Sequence, residues 1–465
     1  MYSFLLSIVA LVLGYFIYGK IVDGIFGSNP NAITPAKKLA DGVDYVELDW
    51  KKAFLVQFLN IAGTGPIFGA VAGAMWGPVA FLWIVFGCIF GGAVHDFLVG
   101  MMSLRDDGAT IAEIVGKYLG LSARNFMRVF SVILLLLVGV VFIISPADIL
   151  NSITGVNKYI WIAIIIVYYM LATVLPVDKI IGKIYPIFGA CLLIMAAGIG
   201  YGMVAGDFNI PEIAFANFHP DKTPIFPYLF ISIACGAISG FHATQSPMMA
   251  RCIANEKEGR RVFYGSMIAE GIVALIWAAA AMSFFGDTAG LKAAGSAGVV
   301  VTTISNSLLG RVGGVLAILG VVACPITSGD TAFRSARMAI ADAMQYKQGP
   351  IKNRFVIAIP LFVIGVAICF VDFQIIWRYF AWSNQTLATI ALWAAAKYLA
   401  IENKNFWIAA LPATFMTVVV TSYIIIAKEG LRMGMTVGVT VGLIAAAAAL
   451  GLFLKSLKNK NVVEA

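Results

Sequence analysis

Ionisable side chains inside apolar stretches are the residues best placed to do chemistry in this chain. The run Gly92-Ala93-Val94-His95-Asp96-Phe97 sets a histidine beside a carboxylate. Ser239-Gly240-Phe241-His242 sets a second histidine in another apolar stretch. Histidine is the side chain that titrates nearest neutrality, so His95, Asp96 and His242 suit a proton relay. A structural cap at the inner membrane edge is the other reading of His95 and Asp96. Neighbours on a helix diverge by about 100°, so these two need not touch. The third histidine, His219, falls in a predicted outer loop. Zinc is a rival for His95, Asp96, His242 and Cys235, but no H-x₃-H or C-x-x-C spacing supports it. No metal site and no cofactor are expected, and the six cysteines are read as buried and free.

A third polar run is Cys324-Pro325-Ile326-Thr327-Ser328-Gly329-Asp330-Thr331. Hydroxyls, a carboxylate and backbone carbonyls are the hard oxygen ligands that a small cation takes. Thr327, Ser328 and Asp330, with the backbone near Ala62 and Gly63, form a candidate coupling-ion site. Serine and threonine in membrane helices also bond back to the preceding turn. Asp330 has a second use too, as an ion-pair partner for Arg334 four residues on.

Backbone must be freed to bind a substrate inside a membrane, and two stretches have the residues for it. Asn60-Ile61-Ala62-Gly63-Thr64-Gly65-Pro66 and Gly236 to Pro247 each combine glycines, polar side chains and a proline at membrane depth. Proline removes a ladder N–H, and glycine tolerates the unwound backbone that results. Unwinding is predicted near Gly63–Pro66 and Ser239–Thr244. Candidate substrate residues are Asn60, Gly63, Thr64 and Gly65 at the first break. At the second they are Ser239, Gly240, Phe241, His242 and Gln245. Asn384 and Gln385, further along, either hydrogen-bond substrate or staple two helices. Arg378 is read as snorkelling among aromatics at the outer interface.

The elements that position these residues are membrane helices. Of 465 residues 61% are hydrophobic and 12% charged, about half the charge of a soluble domain. A soluble enzyme, a disordered chain and a disulfide scaffold are excluded. The net charge of +8 marks cytoplasmic loops and lipid contact, not nucleic acid. About thirteen apolar segments are long enough to span. They lie near 2–19, 53–75, 78–103, 126–145, 158–175, 184–205, 225–248, 262–285, 311–333, 353–371, 376–398, 404–427 and 433–454. The interval 287–310 reads as an interfacial or re-entrant helix. Lysine and arginine following odd-numbered segments number 25, against 7 after even ones. This predicts an outside N-terminus and a cytoplasmic C-terminus. The two breaks then sit five segments apart in helices of opposite direction. That is the mark of an inverted repeat with a binding site at its centre.

The expected organisation is one all-α transmembrane domain. It has an extra helix and loop over 1–52, repeats at 53–205 and 225–398, and further helices over 404–465. With no P-loop in the chain, a secondary active importer is the leading function. A channel and an intramembrane metal-dependent enzyme are the alternatives.

The chain resembles the carbon starvation protein A family. The similarity is carried by NIAGTGPIFG (Asn60 to Gly69), GGAVHDF (Gly91 to Phe97), CGAISGFH (Cys235 to His242), PITSGDTAFRSAR (Pro325 to Arg337) and FAWSNQTL (Phe380 to Leu387). The resemblance implies a bacterial inner-membrane uptake system for peptides or for small carboxylates such as pyruvate. It implies a five-plus-five inverted repeat of the leucine-transporter type. It also implies that Thr327 and Ser328 stand where sodium-coupled relatives carry hydroxyl ligands. Coupling to a proton or to sodium is left open.

Overall fold

A computed structural model describes residues 1–42, 44–173, 177–206, 208–348 and 350–458. The ends of two expected features, 174–175 and the tail 459–465, lie outside these residues. The described chain is helical, with one isolated bridge between Leu48 and Ile253. Helix α1 is Tyr2–Phe26, α2 is Trp50–Ala62, α3 is Gly65–Gly73 and α4 is Val79–Arg105. Then come α5 (Leu121–Thr154), α6 (Lys158–Ala172) and α7 (Val177–Ala205). The second half brings α8 (Tyr228–Ser232), α9 (Phe241–Ala250) and α10 (Glu256–Phe284). It continues with α11 (Ala297–Ala317), α12 (Cys324–Ala343), α13 (Ile351–Ile368), α14 (Phe373–Ile401), α15 (Trp407–Ile426) and α16 (Met435–Lys458).

Among the described residues nine helices are long and apolar enough to cross a membrane, ten if α2 and α3 count as one span bent by 48°. The expected thirteen is not confirmed. Helix α6 has 15 residues, and the segment expected at 225–248 is cut into two short pieces. Within 287–310 the chain forms a short helix, Thr288–Ala293, and then the start of α11. Helix α11 is kinked at Gly310, whose φ of 56° and ψ of −143° are not helical. By length and composition Ala297–Leu316 also qualifies as a span.

Both expected breaks are present, with shifted limits. The first is only Gly63 and Thr64, because Pro66 sits in the first turn of α3. Proline is pre-organised for that position, where its missing N–H has no partner to lose. Gly63 takes φ +36°, ψ −140°, a conformation open to glycine. The second break runs from 233 to 240, upstream of the expected stretch, and Phe241–Thr244 are helical. Pro247 lies inside α9, so the glycines Gly236 and Gly240 mark this break, not the proline.

The ends of α4 and α10 are held by one cluster. Arg105 reaches Glu256 through Nε at 3.1 Å and Nη2 at 3.0 Å, and Tyr398 on α14 at 2.7 Å. Its guanidinium lies 4.1 Å from the Phe26 ring of α1. Charge-assisted bonds to a buried carboxylate fix the register of α4, and with it His95 and Asp96. Elsewhere the 217–224 loop packs on the turn Ala74–Trp76 that follows α3. Trp76 donates to the carbonyls of Thr223 and Pro224 and packs on His219 at 4.5 Å. Burial there holds the His219 imidazole below the usual histidine range. Its Nδ1 accepts the Asp221 N–H at 3.1 Å.

Candidate functional site

The two breaks meet. A Cβ at Gly65 would collide with Cys235 Sγ. Gly240 is pressed against α14, where a Cβ would collide with the Asn384 carbonyl. Only glycine allows the broken segment to approach a helix backbone this closely. Asn384 then stitches the gap. Its Oδ1 accepts the Phe241 N–H at 2.6 Å, and its Nδ2 donates to Ser239 Oγ at 2.9 Å. The Gly240 N–H bonds the Asn384 carbonyl at 3.0 Å. Asn384 therefore serves as the staple between two helices, and it occupies the N-terminal N–H of α9.

Other polar atoms at the breaks are buried without a hydrogen-bond partner among the described residues. They are Thr64 Oγ1, Gln245 Oε1, Gln385 Oε1 and both side-chain polar atoms of Gln57. Sequence reasoning does not single out Gln57, because it sits nearly two turns before the break. Gln385 donates to the Phe230 carbonyl at 2.5 Å, and Gln245 to Thr244 at 3.0 Å. Asn60 is buried close by in α2. In α3 the backbone ladder restarts with Phe68 N–H on the Thr64 carbonyl at 2.8 Å.

The sequence's three relay candidates converge on one carboxylate. His95 Nδ1 lies 2.8 Å from Asp96 Oδ1, and His242 Nδ1 lies 2.8 Å from Asp96 Oδ2. Neighbours on a helix can touch when the side chains turn toward each other, and these do. With Nδ1 protonated on both rings, each imidazole donates to one carboxylate oxygen. All three side chains are fully buried. A fourth member, Glu270 of α10, is absent from the sequence candidates. Its Oε2 is 3.3 Å from His242 Nε2, close enough for an ion pair though not aligned as a hydrogen bond. A signal was available: Glu270 is a lone acid within an apolar run, and such residues demand a reason. A π-helical turn, Gly87–Gly92, directly precedes the His95 turn, and such turns recur at functional sites.

The candidate ion site is divided. Ser328 Oγ and Cys324 Sγ point to the Leu59 carbonyl at 3.5 and 3.8 Å, so α12 does meet the end of α2. The carbonyl they reach is that of Leu59, not of Ala62 or Gly63. Thr327 Oγ1 bonds its own helix at the Cys324 carbonyl, 2.8 Å away. Asp330 pairs with Arg334 at 3.3 Å, and Arg334 also bonds the Ala172 carbonyl. Arg378, expected to snorkel, pairs with Glu429. All six cysteines are free; Cys191 and Cys252 are only partly buried. Among the described residues no group of three or more His, Cys, Asp or Glu is arranged to hold a metal ion.

This fold is shared with solved transporters. The structure of a mutant manganese transporter from Eremococcus coleocola covers 90% of this chain and 98% of its own. The identity is 12% and the TM-score 0.55. The inward-facing conformation of Mhp1 covers 87% of this chain and 91% of its own, at 13% identity and a TM-score of 0.54. At such identities the likeness is one of fold, and the fold is the all-α, leucine-transporter type of membrane transporter. The family model for carbon starvation protein CstA matches residues 1–154, 144–289 and 285–423, so the chain belongs to that family. A membrane protein of Haemophilus influenzae is 45% identical over 349 residues, 63% of this chain and 94% of the relative. The peptide transporter CstA of Escherichia coli is 26% identical over 58% of this chain and 48% of its own. The pyruvate/proton symporter BtsT of E. coli is 27% identical over 55% and 45%. The matched part thus spans about half the length of these two transporters. Both of these characterised relatives are named as transporters.

Proposed function

We propose that this chain is a secondary active importer that takes up a small carboxylate or a peptide together with a proton. The observation that carries the reading is Asp96, fully buried and clasped by two imidazoles from different helices. Ionisable groups at membrane depth are costly, and in transporters they carry protons. One histidine belongs to α9, the half-helix that follows a break. The other belongs to α4, which has no such break. A change in the angle of α9 therefore alters the proton's surroundings, which is what coupling requires.

Substrate is held between the breaks. The Thr64 hydroxyl and the carbonyl oxygens of Gln245 and Gln385 are buried there without partners, and the N-terminal end of α3 opens at Gly65. A helix N-terminus favours a carboxylate. Gln245 and Gln385 Oε1 are acceptors and suit a substrate's donor group. The N–H of Phe241 is taken by Asn384, so Ser239, Gly240 and Asn384 shape this site without binding substrate. The chain sits in the inner membrane with its N-terminus outside and C-terminus cytoplasmic, a reading supported by the distribution of basic residues. The sodium reading rests on Ser328 and the Leu59 carbonyl; Asp330, already paired, adds no net charge to it.

The test is uptake of labelled pyruvate and of a labelled dipeptide into proteoliposomes, with inward proton and sodium gradients imposed separately. Concentrative uptake of either substrate on the proton gradient alone supports the reading. Uptake driven only by sodium, or by neither gradient, overturns it.

A further inference from the structure

We propose that Glu270 is the residue that takes on the transported proton, with His242, held in place by Asp96, passing it to Glu270. The inference rests on proton coupling as argued above and goes on to name the binding group. Four side chains lie in sequence: His95, Asp96, His242, Glu270. They come from three elements, α4, α9 and α10, and each is fully buried. Asp96 has both oxygens engaged. Among the described residues Glu270 has neither oxygen in a hydrogen bond, and its ion-pair contact is His242 Nε2 at 3.3 Å. The other acidic groups facing it are Asp96 and the thiols of Cys88 and Cys235. Among the described residues no lysine or arginine pairs with it.

Proton counting gives two states. In the first, Asp96 is a carboxylate, His95 is neutral, and one proton is shared between His242 Nε2 and Glu270 Oε2. Whichever atom holds it, the cluster carries one negative charge. In the second, His242 keeps a proton on each nitrogen and Glu270 is a neutral carboxylic acid. The cluster is then electrically neutral. One added proton separates the states, and it resides on a Glu270 oxygen. Within an apolar bundle the neutral state removes an uncompensated charge. The proton enters from one side through His242 Nε2 when α9 adopts one angle. It leaves when α9 moves and the 3.3 Å contact opens. No bond other than O–H and N–H forms or breaks, and no co-reactant is needed. One proton per turnover also balances the charge of a monocarboxylate substrate.

Glu270→Gln keeps the shape and removes the titration. In proteoliposomes this variant is expected to lose concentrative uptake on a proton gradient while retaining counterflow of labelled substrate. Glu270→Asp, which can still titrate, is expected to restore concentrative uptake with a shifted pH profile. Infrared difference spectra between acid and neutral pH are expected to show a protonated carboxylic-acid band that shifts in Glu270→Asp. That band can be read even if Glu270→Gln fails to fold. Wild type driven by protons with Glu270→Gln equally concentrative, or an acid band that Glu270→Asp leaves in place, overturns Glu270 as the proton site and leaves proton coupling standing. Wild-type uptake indifferent to the proton gradient overturns both.

Discussion

Two polar regions contact the broken helices, and they treat their polar groups in opposite ways. Around α4, α9 and α10, ionisable groups face one another and are left with spare capacity: among the described residues His95 Nε2 and both Glu270 oxygens have no hydrogen-bond partner. Along α12, the hydroxyls and the carboxylate spend that capacity on nearby partners. Thr327 bonds its own turn, Thr331 bonds the Ser328 carbonyl at 2.7 Å, and Asp330 is neutralised by Arg334. Residue type alone makes the second region look like a cation site. Partner assignment makes the first region the better place for coupling chemistry. A buried polar group that is already satisfied is structure, whereas one held unsatisfied at a mobile joint is available for function.

The comparison is broken most forcefully at Asp96. Asp96→Asn takes away the shared carboxylate and is expected to lower proton-driven uptake at least about 100-fold, the low end for losing a proton-transfer group. The same variant, in detergent, should lose about 1–3 kcal/mol by thermal unfolding, because one of the two buried imidazoles loses its acceptor and faces an amide NH2 instead. If Asp96→Asn transports at the wild-type rate, the first region has no role in coupling.

Asn384→Ala tests the joint itself. It frees the Phe241 N–H and the Ser239 hydroxyl, and is expected to cost about 2 kcal/mol. Counterflow and gradient-driven uptake should fall together, by about tenfold, since the joint serves both. Loss of gradient-driven uptake alone would move Asn384 from the joint into the coupling machinery.

Thr327→Ala and Ser328→Ala sharpen the contrast from the other side. Each is expected to leave proton-driven uptake within about threefold of wild type, because a hydroxyl bonded to a nearby backbone carbonyl contributes little. A sodium-dependent component abolished by either change would restore the second region as an ion site.

The smallest effect is expected at the 217–224 loop. Burial against Trp76 lowers the pKa of His219, so folding favours the neutral ring. That contribution is complete above the unfolded value of about 6.5 and is lost as pH falls through the lower folded value. Protonation of Nδ1 also removes the acceptor for Asp221 N–H. Hydrogen exchange of the 217–224 amides, corrected for intrinsic rates, should therefore quicken in mild acid, and His219→Gln should remove that dependence.

Much of this architecture is legible in the sequence, and the parts that are not have physical reasons. Gly63 and Gly240 announce the breaks because only glycine fits a positive φ or a backbone pressed on another helix. The prolines mislead about the limits, since Pro66 starts a helix and Pro247 is carried within one. His95, Asp96 and His242 stand out as rare ionisable residues, yet their meeting depends on side-chain directions that spacing does not encode. Glu270 is legible by the same rule, as a lone acid in an apolar run, but it lacks the motif of polar neighbours that draws attention to the others. The expected superposition of 53–205 on 225–398 by rotation about an in-plane axis remains a proposal of the charge pattern, checked by aligning α2–α7 with α8–α14.

The central claim is that substrate moves with a proton through the Asp96 cluster. Its most direct test is proton flux itself, read by a pH-sensitive dye trapped inside proteoliposomes when substrate is added outside with no imposed gradient. Wild type should acidify the lumen in step with substrate entry, and Asp96→Asn should give no acidification while its counterflow continues. Substrate entry in wild type without acidification, or acidification that persists in Asp96→Asn, would contradict the account.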